Sequence, residues 1–152
     1  MKVSAIISGS ICMLGLTACI PFIPDLKPKL YLYPVKGPIV GQYPNAAITG
    51  FSTGIRSGSV SFQLPSGESC TGSWEPIPQN QTDSGQASNW DLVYGEGYFT
   101  KNVLGSKWRG KSKIIGDKGS EFQLEFYRGN PKGSPLLGIA NDSAGNVYKV
   151  TQ

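Results

Sequence analysis

The chain of 152 residues carries 14 Lys and Arg against 10 Asp and Glu, so its formal charge at pH 7 is +4. This length suits one small domain with a modest core. The sequence contains no histidine, which excludes Ser–His and Cys–His nucleophile pairs and the usual imidazole zinc sites. We therefore expect neither a metal nor another cofactor.

The first 18 residues are organised like a signal peptide. Lys2 provides a positive start, and the apolar run at residues 5–16 is shorter than the ~20 residues of a spanning helix. The motif LTAC at residues 16–19 resembles the lipobox of bacterial lipoproteins. In that family the Cys sulfur receives a diacylglycerol and the chain is cut just before it. The resemblance implies that Cys19 is lipidated and that residues 1–18 are removed.

Residues 19–29 are expected to tether the domain to a membrane. The stretch "PFIPDLKPK" at residues 21–29 indicates either an extended spacer or an irregular lead-in packed on the domain. Several acyl chains hold a protein firmly at a bilayer. In Gram-negative lipoproteins an Asp directly after the lipidated Cys favours the inner membrane, and here Ile20 follows Cys19. The resemblance therefore implies the outer membrane, on its periplasmic side.

Residues 30–152 are predicted to form one all-β domain, a single small antiparallel sandwich or barrel of about eight to nine short strands. Short β-rich runs are separated by Gly, Pro and Asn turns, which is typical of such folds. The predicted strands span residues 29–35, 47–51, 58–64, 69–74, 97–104, 107–115, 121–127, 136–140 and 147–150. One short helix is expected at residues 87–95, with Ser88 or Asn89 as its cap. A long polar loop at residues 76–89 precedes it.

A hairpin is predicted around residues 65–68. Alternation on its two strands places Leu64 opposite Cys70 and Val60 opposite Trp74, with the thiol directed inward. Since Cys19 carries the lipid, Cys70 has no intramolecular disulfide partner in the mature chain. We expect a buried, inert thiol rather than a reactive one.

The segment "KWRGKSKIIGDKGSEFQLEFYR" predicts a second hairpin with opposite charges on one face. Pairing residues whose numbers sum to 234 places Lys113 opposite Glu121 and Arg109 opposite Glu125. The same register places Trp108 opposite Phe126 on the buried face. A slip of one residue would place Lys opposite Phe, so the choice of face is well determined. A slip of two residues remains open.

A basic strip along the first strand of this hairpin is the candidate binding site, formed by Lys107, Arg109, Lys111 and Lys113. Residues at every second position of a strand share one face. The strip is either a solvated face, partly neutralised by Glu121 and Glu125, or a contact surface for anionic envelope material. Its partners would then be anionic lipid, lipopolysaccharide or an envelope protein; nucleic acid is not expected at this location.

Three functions are considered, and a non-enzymatic lipoprotein with a binding or structural role in the envelope is favoured. The alternatives are a periplasmic protein-binding or inhibitor module and a carboxylate-dependent envelope hydrolase. The carboxylates that could form a hydrolytic pair have no supporting spacing: Glu68, Glu75, Asp91 and Glu96. The segments "VYGEGY", "VLGSKWRG" and "GNVYKV" are similar to those of small Gly-rich lipoproteins of Gram-negative envelopes. That resemblance implies no catalytic residue.

Overall fold

A computed structural model of the chain describes residues 30–41, 47–49, 57–82, 85–129 and 134–152, with side chains omitted at 47–49. The predicted signal peptide, lipidation site and tether therefore lie outside the described residues. Within the described ranges, no helix is both long enough and apolar enough to cross a membrane.

Eight antiparallel strands form a closed barrel in which each strand pairs with the next along the chain. They are β1 (Leu30–Lys36), β2 (Ala47–Thr49), β3 (Gly58–Gln63), β4 (Ser69–Pro76), β5 (Trp108–Gly116), β6 (Glu121–Arg128), β7 (Leu136–Asp142) and β8 (Val147–Thr151). Seven longer strands make most of the curled sheet, and the short β2 joins β1 to β3. Pairing of β8 with β1 completes the ring. The all-β prediction is confirmed, and the barrel is the alternative that the chain adopts.

The barrel interior is built from side chains at even-numbered positions, because successive residues of a strand face opposite sides of the sheet. Aromatic rings pack edge to face there, with centroids 5.2 Å apart for Phe62 and Phe122 and 5.4 Å for Trp74 and Phe126. Gly110 leaves space for the Phe126 ring, because a Cβ at that position would lie 2.2 Å from the ring. Cys70 is fully buried in this core, as predicted.

A second apolar cluster covers part of the outer surface of the barrel. The connection from β4 to β5 contains helix α1 (Ala87–Tyr94) and a π-helical turn (Phe99–Val103). Trp90, Phe99 and Val103 from this connection pack with Tyr127 and Ile139, which lie on the outer face of β6 and β7. The outer face of a strand is therefore not solvated wherever this connection overlies it.

The strand predicted at residues 97–104 is wrong, since this segment forms the π-helical turn. Its two buried side chains, Phe99 and Val103, are four residues apart, a helical spacing rather than a β spacing. The Asp91 carboxylate accepts a hydrogen bond from the Phe99 backbone N–H at 2.9 Å and supports the start of the turn. The helix predicted at 87–95 is confirmed, but its N-cap is Gln86, without a side-chain cap, rather than Ser88 or Asn89.

Both predicted hairpin registers are wrong by two residues, while the choice of faces is right. Phe62, not Leu64, lies opposite Cys70, and Gly110, not Trp108, lies opposite Phe126. The reason is the position of glycine in the turns. The predicted registers centre the turns at residues 67 and 117, whereas the chain centres them at residues 66 and 118, so that Gly67 and Gly119 become the third residue of each turn.

The three-residue turn occurs in three hairpins and ends each time in a glycine with positive φ. Backbone hydrogen bonds from Leu64 to Glu68, from Gly116 to Ser120 and from Asp142 to Asn146 close these turns. The glycines are Gly67, Gly119 and Gly145, with φ of 79°, 98° and 86°. Three-residue hairpin turns commonly place glycine in this left-handed conformation. The sequences PSG, DKG and SAG therefore set the registers.

The two ends of the barrel differ. The three short turns, at residues 64–68, 116–120 and 142–146, lie together at one end, here called the turn end. The opposite end, here called the loop end, contains the starts of β1 and β5 and the ends of β4 and β6. The connection from β4 to β5, which contains α1 and the π-helical turn, leaves the barrel at the loop end.

Candidate ligand groove

A groove of about 710 Å³ lies on the outer surface of the barrel, between strands β4 to β6 and the connection that follows β4. Its lining is formed by Ser57, Ser73, Trp74, Glu75, Ile77, Gln81, Gln86, Lys111, Ser112, Lys113, Gln123, Leu124 and Glu125. The volume is in the usual range for small-molecule sites. Most of the lining residues carry amide, hydroxyl or charged groups, although apolar atoms still provide the larger part of the exposed lining.

One row of charges crosses the groove floor. The register places Glu75, Lys111 and Glu125 side by side on neighbouring strands. The Lys111 ammonium lies 3.2 Å from the Glu75 carboxylate. In the next row, Lys113 lies 2.9 Å from Glu121. Each groove lysine therefore has a carboxylate beside it.

The deepest charges of the site are Arg109 and Glu125, each 2 % exposed. Arg109 Nη2 lies 3.5 Å from Glu125 Oε1, and Trp90 Nε1 donates a 2.6 Å hydrogen bond to Glu125 Oε2. Arg109 Nη1 donates to the Gln81 carbonyl at 3.0 Å, and the guanidinium lies 5.5 Å from the centre of the Phe99 ring. A buried ion pair is retained only when such additional contacts compensate for lost hydration. This arrangement fixes the Glu125 side chain beneath the groove.

A network of amides forms one wall. Gln86 Nε2 donates to Gln123 Oε1 at 3.0 Å and to Asn141 Oδ1 at 2.7 Å, while Gln86 Oε1 accepts from Asn89 at 2.7 Å. Gln123 lines the groove and is exposed, and because its oxygen accepts from Gln86, Nε2 is the part of its amide that can donate to a ligand. The network thus orients a hydrogen-bond donor before any ligand arrives.

The structure does not bring the predicted basic strip together as one surface. Lys111 and Lys113 line the groove, whereas Arg109 is buried beneath the connection that contains α1. Lys107 precedes β5 at the loop end, where it is exposed and outside the groove lining. Strand alternation placed Arg109 on the correct face, but the second apolar cluster covers that part of the face.

The carboxylates considered from the sequence are dispersed over the barrel. Glu68 lies at the turn end, Asp91 supports the π-helical turn, and Glu96 is exposed. Only Glu75 lines the groove, two strands from Glu125 and with Lys111 between them. Neighbouring strands are ~4.8 Å apart, so the two backbones are ~10 Å apart. Among the described residues no three His, Cys, Asp or Glu side chains gather as a metal site.

Sequence reasoning missed Glu125, Gln86 and Gln123 as components of a site. The polar loop at residues 76–89 was the available signal, since it supplies Ile77, Gln81 and Gln86 to the groove. Sequence alone did not indicate which part of the sheet that loop covers. The site therefore became visible only through contacts between residues far apart along the chain.

Cys70 is excluded from the chemistry of the site by its position in the core. Burial, followed by the nearby carboxylates of Glu68 and Asp117, raises the pKa of the thiol to about 11. The thiolate is the reactive form of cysteine, so this thiol is poorly reactive near neutral pH.

Comparisons with protein-family models, with curated proteins and with solved structures found no match to this chain. The groove and the sequence motifs are therefore the features that bear on function.

Proposed function

We propose that the protein is a non-enzymatic, lipid-anchored binding protein of the bacterial envelope, whose groove takes an uncharged ligand rich in hydroxyl and amide groups. An envelope glycan is the class of ligand that combines this chemistry with the expected location. The observation that supports this proposal is the charge balance of the groove, in which each cation has a carboxylate partner.

The charge balance argues against a strongly anionic ligand in this groove. Lipopolysaccharide phosphates or anionic lipid would need to compete with Glu75 for Lys111 and with Glu121 for Lys113. Arg109 is too deeply buried to contribute to such binding. Hydroxyl and amide groups, in contrast, can bond to the amides and charged groups without separating these pairs.

Binding rather than catalysis is supported by the state of Glu125. Both of its carboxylate oxygens already have donors, one from Trp90 and one from Arg109. A general base needs access to the proton that it removes. The absence of histidine from the sequence supports the same conclusion.

The anchor in this proposal rests on the LTAC motif at residues 16–19. Acylation at Cys19 would hold the barrel at the outer membrane, on its periplasmic side. We expect Cys19→Ser to lack the acyl mass in mass spectrometry and to leave the membrane fraction. A wild-type protein without acyl mass would contradict the anchor.

Ligand binding is tested with a neutral N-acetylglucosamine trisaccharide as the probe, using the full chain and isothermal titration calorimetry. Gln123→Leu removes the oriented donor, and the loss of one or two hydrogen bonds is expected to weaken binding by about fivefold to thirtyfold. Gln63→Leu is the matched control, because Gln63 is also exposed but lies on β3, outside the groove lining.

Equal weakening in both variants would contradict a role for the groove. Binding of a glucosamine 6-phosphate probe that exceeds binding of the neutral probe and is abolished by high salt would contradict the uncharged class of ligand.

A further inference from the structure

The loop end of the barrel carries an exposed tryptophan. Trp108 is 60 % exposed, whereas Trp74 and Trp90 are 8 % and 0 % exposed. As the first residue of β5, Trp108 lies at the rim, opposite Arg128, the last residue of β6. Both residues occupy inward-facing positions of their strands. Because Trp108 lies at the very end of the barrel, other side chains cover little of it.

Two basic residues, Lys107 and Arg128, are neighbours of Trp108. Lys107 is adjacent to it along the chain, is exposed, and forms no ion pair with any carboxylate in the part of the chain that the structure describes. Arg128 is half-buried, and its Nε has no hydrogen-bond partner among the described residues. The turn end contains the carboxylates of Glu68, Asp117 and Asp142 together with Lys118. Its cation therefore lies among carboxylates, unlike Lys107.

The predicted tether also joins the barrel at the loop end. The described chain begins with Leu30 in β1, which starts at the loop end beside the end of β8. Eleven residue steps separate Cys19 from Leu30, and an extended chain covers at most ~3.6 Å per step, or ~40 Å in total. A lipid on Cys19 would therefore keep the start of β1, and with it the loop end, within ~40 Å of the bilayer. At such short range even weak contacts are populated, because the effective concentration is high.

We propose that the loop end rests on the anionic bilayer surface that holds the anchor, with the Trp108 indole in the headgroup layer and Lys107 and Arg128 beside anionic headgroups. Indole rings favour this layer because they combine an apolar body with a polar N–H. One acyl signal combined with basic residues is also a recognised way to strengthen membrane attachment. The inference rests on the lipid anchor of the proposed function and is independent of the groove ligand.

The fluorescence of Trp108 can report whether its indole enters the headgroup layer. Full-length acylated protein is reconstituted into vesicles of phosphatidylcholine, with or without phosphatidylglycerol and with or without brominated lipid. The spectrum of a Trp108→Phe variant is subtracted, so that the difference reports Trp108 alone. We expect blue-shifted emission and quenching by brominated lipid in the anionic vesicles, both reduced at high salt.

The charge contribution is tested with a matched pair of variants. Lys107→Glu should at least halve the quenching by brominated lipid. Lys118→Glu makes the same charge change at the turn end, where Lys118 Nζ contacts the Ser66 carbonyl at 3.1 Å. We expect that control to retain the wild-type quenching.

Failure of the docking and failure of the anchor give different results. Acylated protein whose Trp108 emission and acrylamide quenching in anionic vesicles match those of an exposed indole in water would overturn the docking alone. Equal losses in Lys107→Glu and Lys118→Glu would overturn the specific placement of the loop end. Protein that lacks acyl mass and does not sediment with vesicles would contradict the anchor.

Discussion

Arg109 illustrates how a covering segment changes the role of a charged residue. Alternation along β5 places it on the outer face with Lys111 and Lys113, yet it is 2 % exposed. The cover comes from the connection that contains α1 and the π-helical turn. As a result, Arg109 supports Glu125 from below instead of presenting charge to a ligand.

Removing one partner of this buried pair should strongly destabilise the barrel. We expect Arg109→Ala and Glu125→Ala to lower the free energy of unfolding by about 3–5 kcal/mol, because each leaves an uncompensated buried charge. Lys111→Ala breaks the exposed pair with Glu75 and should cost less than about 1 kcal/mol. Urea denaturation followed by circular dichroism measures all three variants. Similar losses for the buried and the exposed pair would contradict this assignment.

The short hairpins of the turn end show how an element boundary is stabilised. Glu68, in the β3–β4 turn, accepts hydrogen bonds from the Ser120 backbone N–H at 2.9 Å, from the Ser120 hydroxyl at 2.9 Å and from the Lys118 N–H at 3.2 Å. These contacts join two turns that are distant along the chain. The backbone hydrogen bond from Ser120 is the main reason that the pKa of Glu68 lies below its usual value of 4.5.

This lowered pKa predicts a specific acid sensitivity. A carboxylate whose pKa is lower in the folded state contributes stability above its unfolded value, near 4.5, and loses that contribution as the pH falls through the folded value. We expect Glu68→Gln to lower the urea midpoint at pH 7 and to differ less from wild type at pH values well below 4. The exposed Glu96→Gln is the control and should leave the midpoint unchanged. A difference for Glu68→Gln that is constant with pH would rule out this linkage.

Two apolar clusters, one inside the barrel and one outside it, share strands β6 and β7. Phe126 belongs to the interior, while Glu125 and Tyr127 on the same strand contact the outer cluster. Because neighbouring residues of one strand serve both clusters, neither can lose its structure without disturbing the other. We infer that the described domain unfolds as one cooperative unit.

The two buried tryptophans test this cooperativity. Trp74→Phe with Trp108→Phe leaves Trp90 as the reporter of the outer cluster, and Trp90→Phe with Trp108→Phe leaves Trp74 as the reporter of the interior. In each variant, fluorescence and far-ultraviolet circular dichroism should give the same urea midpoint. Loss of the Trp90 signal ahead of the dichroism signal would instead indicate that the covering segment unfolds separately.

The sequence predicted features that depend on near neighbours along the chain. Alternation of apolar and polar residues located eight strands correctly and assigned the inward positions, including Cys70 and Phe126. It failed at Phe99 and Val103, whose four-residue spacing indicates a helical turn. The signal for the two hairpin registers is also local, because PSG and DKG are three-residue turns that end in glycine.

Other features depended on contacts that no local pattern encodes. Closure of the barrel requires β8 to meet β1, and the groove requires Gln86 to meet Gln123 and Asn141 on strands β6 and β7. Burial of Arg109 depends on where the connection from β4 to β5 packs against the sheet. Local spacing and turn chemistry thus specify strands, faces and turns, since these follow from backbone geometry over a few residues. Which faces are covered, and which polar groups then meet, is a property of the folded chain, because the packing energy that selects those contacts comes from residues distant in sequence.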